Sequence, residues 1–424
     1  MTIHVVSAGE TVAGIAESYG VDPVRLAQDN EVPSSGALAV GQTLVVRFPR
    51  VVHAVRPGET LSSIARSSGL TVRQLWRNNW FLGGTADLRP GDVLVLSFFD
   101  EKLGPAVSNG YAYPFIGDSL LSQQLPYLTY MTPFTYGITA DGGLLPLEDD
   151  ALLAAARQTG TRPVMHLSTL TESGQFSTDR AVLVLTDPQV QDQLVSDVLQ
   201  TVRTRGFAGV DVDFEYLPGV QAADYAAFLS RLQRLLHAQG AFLWAALAPK
   251  TSADQPGLLY EGHDYAAIGA ATDGVLVMAY EWGYTYGPPL AVAPLPNVRA
   301  VLDYAVTEIP PEKIFLGVPN YGYDWPLPFV RGVTRAQSIS NQYAIDLAIR
   351  YDIAIQYDET AQSPFFHYTD DSGTVHEVWF EDARSLSAKL ELIAEYGLQG
   401  VGFWNLMRPF SQTWLTLDSL YDIQ

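Results

Sequence analysis

The chain has 424 residues, 47% hydrophobic and 17% charged, with a net charge of −21. That length and apolar fraction suit two or three globular domains and exclude a disordered chain. It holds no cysteine, which excludes disulfides, thiol catalysis and thiolate metal sites, and no apolar run long enough to span a bilayer. The start, Met1-Thr2-Ile3-His4-Val5-Val6, has neither a basic head nor a long apolar core, so no secretory signal peptide is expected. Residues 1–98 carry eight arginines, no lysine and eight acids, whereas residues 99–424 carry the other 17 bases and 38 acids. Such a field repels nucleic acid and anionic membranes and suits a neutral polymer as partner.

Residues 2–98 hold an internal repeat with an offset of 49. Ile3-His4-Val5-Val6-Ser7-Ala8-Gly9-Glu10-Thr11 returns as Val52-His53-Ala54-Val55-Arg56-Pro57-Gly58-Glu59-Thr60. Each copy predicts a strand, a turn into a helix, a second short helix and a closing strand. Thr11 and Thr60 read as helix caps, and Glu10 and Glu59 as acids favoured by the positive helix end. Leu26 with Asn30, and Leu75 with Asn79, mark the second helices, and Gly41–Val46 and Gly91–Leu96 close the units. These motifs resemble the LysM module, a βααβ unit that binds N-acetylglucosamine-containing glycans. The resemblance implies module 1 over residues 2–49 and module 2 over 51–98. It places the sugar groove between the loops near Gly9 and Gly58 and those before the last strands.

From about residue 99 the pattern alternates. Candidate strands are Gly110–Phe115, Tyr127–Ile138, Arg162–Ser168, Gly209–Tyr216, Phe242–Ala248, Gly274–Tyr280, Ile314–Tyr321 and Gly400–Asn405. Helical stretches are Leu147–Gln158, Pro188–Arg205, Ala222–Gln239, Asn297–Thr307 and Asp382–Tyr396. Eight β/α units predict an α/β fold, a TIM (β/α)8 barrel over residues 99–424. A small α+β insertion is expected at about 323–381, with a helix around Ser338–Arg350 and a hairpin around Phe366–Phe380.

The chemistry concentrates in Gly209-Val210-Asp211-Val212-Asp213-Phe214-Glu215-Tyr216. On a strand, Asp211, Asp213 and Glu215 share one face, and stacked like charges make each other harder to ionise. A carboxyl held protonated near neutral pH is what acid catalysis needs. A calcium loop is the competing reading, but it requires Gly where Tyr216 stands. A plain acidic strand would put one-sign charge on a single face in an apolar neighbourhood, at a cost. Neither H-E-x-x-H nor G-x-x-x-x-G-K-[ST] occurs, and no metal or cofactor is expected.

The acidic strand, with Met278-Ala279-Tyr280 and Trp404, resembles the signature of glycoside hydrolase family 18. Ala208 stands where that family carries a further Asp, and the third strand lacks the glycine pair of its chitinases. Together with Tyr127–Tyr130, Met278–Tyr284, Tyr321–Trp325, Trp404–Leu406 and the two modules, the chain resembles the spore cortex-lytic N-acetylglucosaminidases of endospore-forming bacteria. The resemblance implies a retaining, substrate-assisted hydrolase of spore peptidoglycan. Synthesis inside the mother cell would account for the missing signal. It implies Glu215 as acid and base, Asp213 as partner of the acetamido N–H, and Asp211 as the deeper acid sharing a proton with Asp213. Tyr280 is implied on the acetamido oxygen and Trp404 as floor. Met278 belongs to the sixth-strand motif, Glu281 is a candidate for a sugar hydroxyl, and Tyr321 and Tyr323 are candidate cleft walls. His166 reads as core or as support behind the site. A chitooligosaccharide hydrolase and a glycan-binding wall protein with an inactive barrel are the alternatives.

Overall fold

The computed structural model describes residues 1–424. The first repeat pairs strand Thr2–Val5 antiparallel with Thr43–Val46 around helices Val12–Tyr19 and Pro23–Asp29. The second pairs Pro49–Ala54 with Val93–Phe98 around Leu61–Ser68 and Val72–Asn78. No linker separates the units, because the second begins its strand at Pro49. Thr11 and Thr60 cap the first helices by accepting from Gly14 N and Ser63 N. The expectation for Glu10 and Glu59 is corrected. Their carboxylates accept from Ser7 N and Arg56 N and meet His4 and His53 of the first strands at 2.9 and 2.7 Å. They tie strand to turn rather than serving a helix end. Asn30 and Asn79 are buried and bond the closing strands at Val45 and Val95, locking each second helix to the sheet.

The barrel strands, labelled here in chain order, are β1 (Gly104–Ala112), β2 (Tyr130–Pro133), β3 (Arg162–Ser168), β4 (Gly209–Asp213), β5 (Phe242–Leu247), β6 (Gly274–Val277), β7 (Ile314–Pro319) and β8 (Gly400–Trp404). All neighbours are parallel and β8 pairs with β1, which closes the ring. β3 is interrupted at Val164: Arg162–Pro163 pairs with β2 and Met165–Ser168 with β4. The interior is filled by Tyr111, Tyr130, Val164, Trp244, Leu276 and Phe315. Ala208 packs at the edge of this cluster and donates its N–H to Pro163 O.

Helix Pro188–Arg205 begins and ends where the sequence places it, between its cap Asp187 and left-handed Gly206. Four further helices, Asp118–Gln124, Thr178–Thr186, Tyr265–Ala271 and Ser411–Leu420, complete the outer layer. The insertion is a five-stranded antiparallel sheet with helix Asn341–Arg350 across it, and its hairpin pairs Thr369 with Val375.

The two N-terminal units do not hang from a tether. They cover helix Ser411–Leu420, in which Ser411 to Ser419 are all buried. Arg47 bridges Asp100 and Asp418 at 2.9 Å each, Arg77 reaches Asp418 at 3.2 Å, and Glu31 accepts from Ser411 N at 2.8 Å. Gly41 lies so close to the insertion that a Cβ would stand 2.0 Å from Ile355 O. Breaking a buried ion cluster from one side strands the remaining charges. Arg47→Ala is therefore expected to cost about 3–5 kcal/mol of unfolding free energy, read as a lower denaturant midpoint.

Candidate active site

The C-terminal ends of the strands open into a cavity of about 580 Å³. β4 sends Val210 and Val212 outward into the core, where Phe214 just after it also packs, and Asp211 and Asp213 inward. The strand stops at Asp213, so Glu215 lies in the loop that follows rather than on the strand. Tyr216 turns the chain with φ +58°, a conformation uncommon outside glycine. Asp213 and Glu215 both line the cavity, while Asp211 lies fully buried beneath it. The Tyr111 hydroxyl donates to Asp211 Oδ2 at 2.7 Å. His166 Nε2 is 3.7 Å from Asp213 Oδ2 and 4.0 Å from Asp211 Oδ2. Its Nδ1 is 2.6 Å from Thr135 Oγ1. Burial pushes the imidazole down to about 3, so it stays neutral and adds no cation to the stack.

The acids respond as stacked, desolvated groups must. Burial lifts Asp211 to about 6. Burial, then the charges of Glu215 and Asp211, lifts Asp213 well above the carboxylate range. Burial, then the charge of Glu281, lifts Glu215 to about 7. Protons are therefore retained in this column near neutrality.

Trp404 ends β8 and forms one wall, its ring 4.8 Å from Phe134 and 5.7 Å from Tyr111. Met278 and Tyr280 follow β6 and line the cavity with Glu281. Burial and the surrounding carboxylates hold the Tyr280 phenol far above its ordinary value, so it is a donor at every working pH. Glu281 takes φ +69° and is clamped by two phenols: Tyr321 donates to its Oε1 and Tyr323 does so at 3.0 Å. Tyr321, a candidate cleft wall, stands instead behind Glu281 and away from the cavity lining. Tyr111, Tyr113, Phe134 and Thr135 line the cavity without having been singled out from the sequence. Their signal was weak: Tyr111-Ala112-Tyr113 is an aromatic pair at a strand end, and Phe134-Thr135 follows a strand read as running on to Ile138 although it ends at Pro133. No group of three or more histidine and carboxylate side chains is spaced to hold a metal ion.

Because Glu281 faces Glu215 as a like charge, Glu281→Gln is expected to lower the pKa of Glu215. The alkaline limb of kcat/KM should then move to lower pH, as a pH–rate profile of the two proteins would measure.

A closed parallel barrel with a column of carboxyls at the strand ends, an aromatic wall and a phenol donor defines a glycoside-cleaving barrel enzyme. Residues 168–408 match the profile of glycosyl hydrolases family 18, and residues 4–47 and 53–97 match the LysM domain. The chain belongs to family 18 and is a glycoside hydrolase carrying two LysM domains. It is 39% identical to the cortical fragment-lytic enzyme of Bacillus subtilis (strain 168), over 100% of this chain and 99% of that protein. The crystal structure of the Bacillus megaterium QM B1551 spore cortex-lytic enzyme SleL superposes with a TM-score of 0.84. Identity there is 37%, covering 100% of this chain and 98% of the other. A chitinase from Chromobacterium violaceum ATCC 12472 aligns with 74% of this chain and 98% of its own, at 28% identity and a TM-score of 0.69.

Proposed function

We propose that the protein is a retaining, substrate-assisted β-N-acetylglucosaminidase of spore cortex peptidoglycan or its fragments, acting in the spore during germination. One observation carries the mechanism. Asp213 and Glu215 line the cavity together above buried Asp211, and the Tyr280 phenol and Trp404 line the same cavity. Glu215 is the acid, Asp213 sits two residues before it in the same column, and Glu281 is held by two phenols. Family 18 is among the exceptions to the two-carboxylate retaining scheme, and in the proposed mechanism the substrate's own amide takes the nucleophile's part.

The steps follow from the positions. Glu215 gives its proton to the glycosidic oxygen as the C1–O bond breaks. The acetamido carbonyl oxygen bonds to C1 and closes an oxazolinium ring. Asp213 accepts from the acetamido N–H and balances the positive charge, with Asp211 below sharing the proton. The Tyr280 hydroxyl donates to the acetamido oxygen and orients it, and Trp404 floors the distorted ring. Glu215 then takes a proton from water as water opens the oxazolinium with net retention. The LysM domains would hold the same polymer against the barrel and raise its local concentration. The names of the relatives in Bacillus support cortex as the source of that polymer.

Digested cortex analysed by mass spectrometry is expected to show new reducing ends that are all N-acetylglucosamine. Reducing muramic acid ends would overturn the specificity. Faster turnover of chitin oligomers than of cortex fragments would favour the chitooligosaccharide reading.

A further inference from the structure

His166 is a buried titratable group that takes part in no step above. It stands opposite Asp211 in the register of β3 and β4, as Ser168 stands opposite Asp213, so its ring enters the barrel on the face that carries the acids. The residue is 2% exposed. Its ring packs against Phe134 at 4.8 Å and meets Tyr111 edge-on at 5.7 Å. The two nitrogens face different chemistry. Nδ1 is 2.6 Å from Thr135 Oγ1, which itself lies 3.0 Å from Ser168 Oγ. Nε2 faces the acids, 3.7 Å from Asp213 Oδ2 and 4.0 Å from Asp211 Oδ2.

Asp213 lacks the support that Asp211 has. Asp211 Oδ2 accepts from the Tyr111 hydroxyl, whereas Asp213 Oδ1 is buried without a hydrogen bond. The titratable groups around Asp213 are Asp211 and Glu215 from its own segment, Tyr111 from β1, Tyr225 from helix Ala222–His237, and Tyr280 with Glu281 after β6. No lysine or arginine lines the cavity. The tautomer of His166 follows from its two contacts. A bare Nε2 would set its lone pair against carboxyl oxygens, so the ring proton sits on Nε2 and the Thr135 hydroxyl donates to Nδ1.

We propose that His166 is a positioning residue, a neutral donor whose Nε2–H closes onto Asp213 when substrate binds and holds that carboxyl ionised opposite the oxazolinium. The inference rests on the role of Asp213 proposed above, and it adds the group that steadies its charge. Neutrality is what makes the donor useful. A lysine or arginine in its place would cancel the negative charge that the sugar's cation needs. An uncharged N–H stabilises the carboxylate and leaves that charge standing. Burial keeps the imidazole neutral, so no proton passes through it. The gap of 3.7 Å is the looseness a catalytic hydrogen bond has before substrate tightens it.

One arm of the test needs no activity. In the full-length protein labelled with nitrogen-15 histidine, the His166 signals are those that shift in Asp213→Asn. They are expected to show a protonated Nε2 and a bare Nδ1 from about pH 5 to pH 8. A proton on Nδ1, or an imidazolium in that range, would overturn the inference. The second arm is kinetic, on cortex fragments. His166→Met fills the space without a donor and should lower kcat about 10–100-fold with KM little changed, the worth of one hydrogen bond to a charged group. The acidic limb of kcat should move to higher pH, because Asp213 without its donor keeps its proton longer. His166→Gln, whose amide N–H can reach the same oxygen, should recover most of the lost rate. A Met variant with the wild-type kcat and acidic limb, or a folded Gln variant as slow as the Met variant, would overturn this inference alone. Should His166→Met fail to fold, the nitrogen-15 signals decide. If Asp213→Asn turns over normally, the substrate-assisted reading falls and takes this inference with it.

Discussion

Glu215→Gln is expected to lower turnover of a sugar-leaving substrate by about 10²–10⁴-fold, the usual contribution of a positioned general acid. The amide has nearly the shape of the carboxyl and cannot deliver a proton, so glycan binding should persist. The chemistry supplies an internal control. A 4-nitrophenyl glycoside departs as a stable anion and needs little protonation, so its first step should suffer far less. Equal losses on both substrates would mean that Glu215 is not the acid. The same substitution has a signed effect on stability. Burial and the Glu281 charge raise Glu215 from 4.5 to about 7, so the folded protein gives up stability as pH rises through that window and the residue ionises. Gln never ionises. The variant should therefore match the wild type at pH 4 and melt at a higher temperature at pH 8, as a thermal scan at the two pH values would show.

Why the acid column was legible in the chain while its support was not comes down to range. Asp211, Asp213 and Glu215 alternate with apolar residues over five positions, and a strand's period of two carries that pattern without help from elsewhere. The helix Pro188–Arg205 was readable for the same reason, since its cap, its proline at the first turn and its closing glycine are all local. The clamp on Glu281 has no local mark, because Tyr321 and Tyr323 arrive from about forty residues away by way of β7 and the insertion. β1 was seen only from Gly110 because its first half, Gly104-Pro105-Ala106-Val107-Ser108-Asn109, is poor in strand-forming residues and is held by pairing with β8 and with Tyr421–Ile423. Helix Ser411–Leu420 was missed because it shows no polar stripe. Its outer face is buried by the LysM domains, so it carries a helix's packing without a surface helix's pattern. The docking of those domains was invisible for a related reason: Arg47, Asp100 and Asp418 form one cluster only after folding joins the two ends of the chain.

Asp213→Asn is expected to cut kcat by about 10²–10³-fold, as removing one electrostatic stabiliser of a developing charge does. Asn keeps an oxygen that can accept the acetamido N–H, so ground-state binding and KM should change little. What it loses is the negative charge that opposes the oxazolinium, and that charge matters only once the ring has closed. A thiazoline mimic of the cyclised intermediate is the sharper probe. It should inhibit the wild type strongly, and its affinity should fall in Asp213→Asn by a factor close to the fall in kcat. A wild type insensitive to the thiazoline, a variant with a near-normal rate, or products with inverted anomeric configuration would each remove the substrate's amide from the mechanism. Inversion would go further, because it requires a base that activates water from the opposite face. Such a base would have to be a second carboxyl working beside Glu215 in place of the substrate's amide.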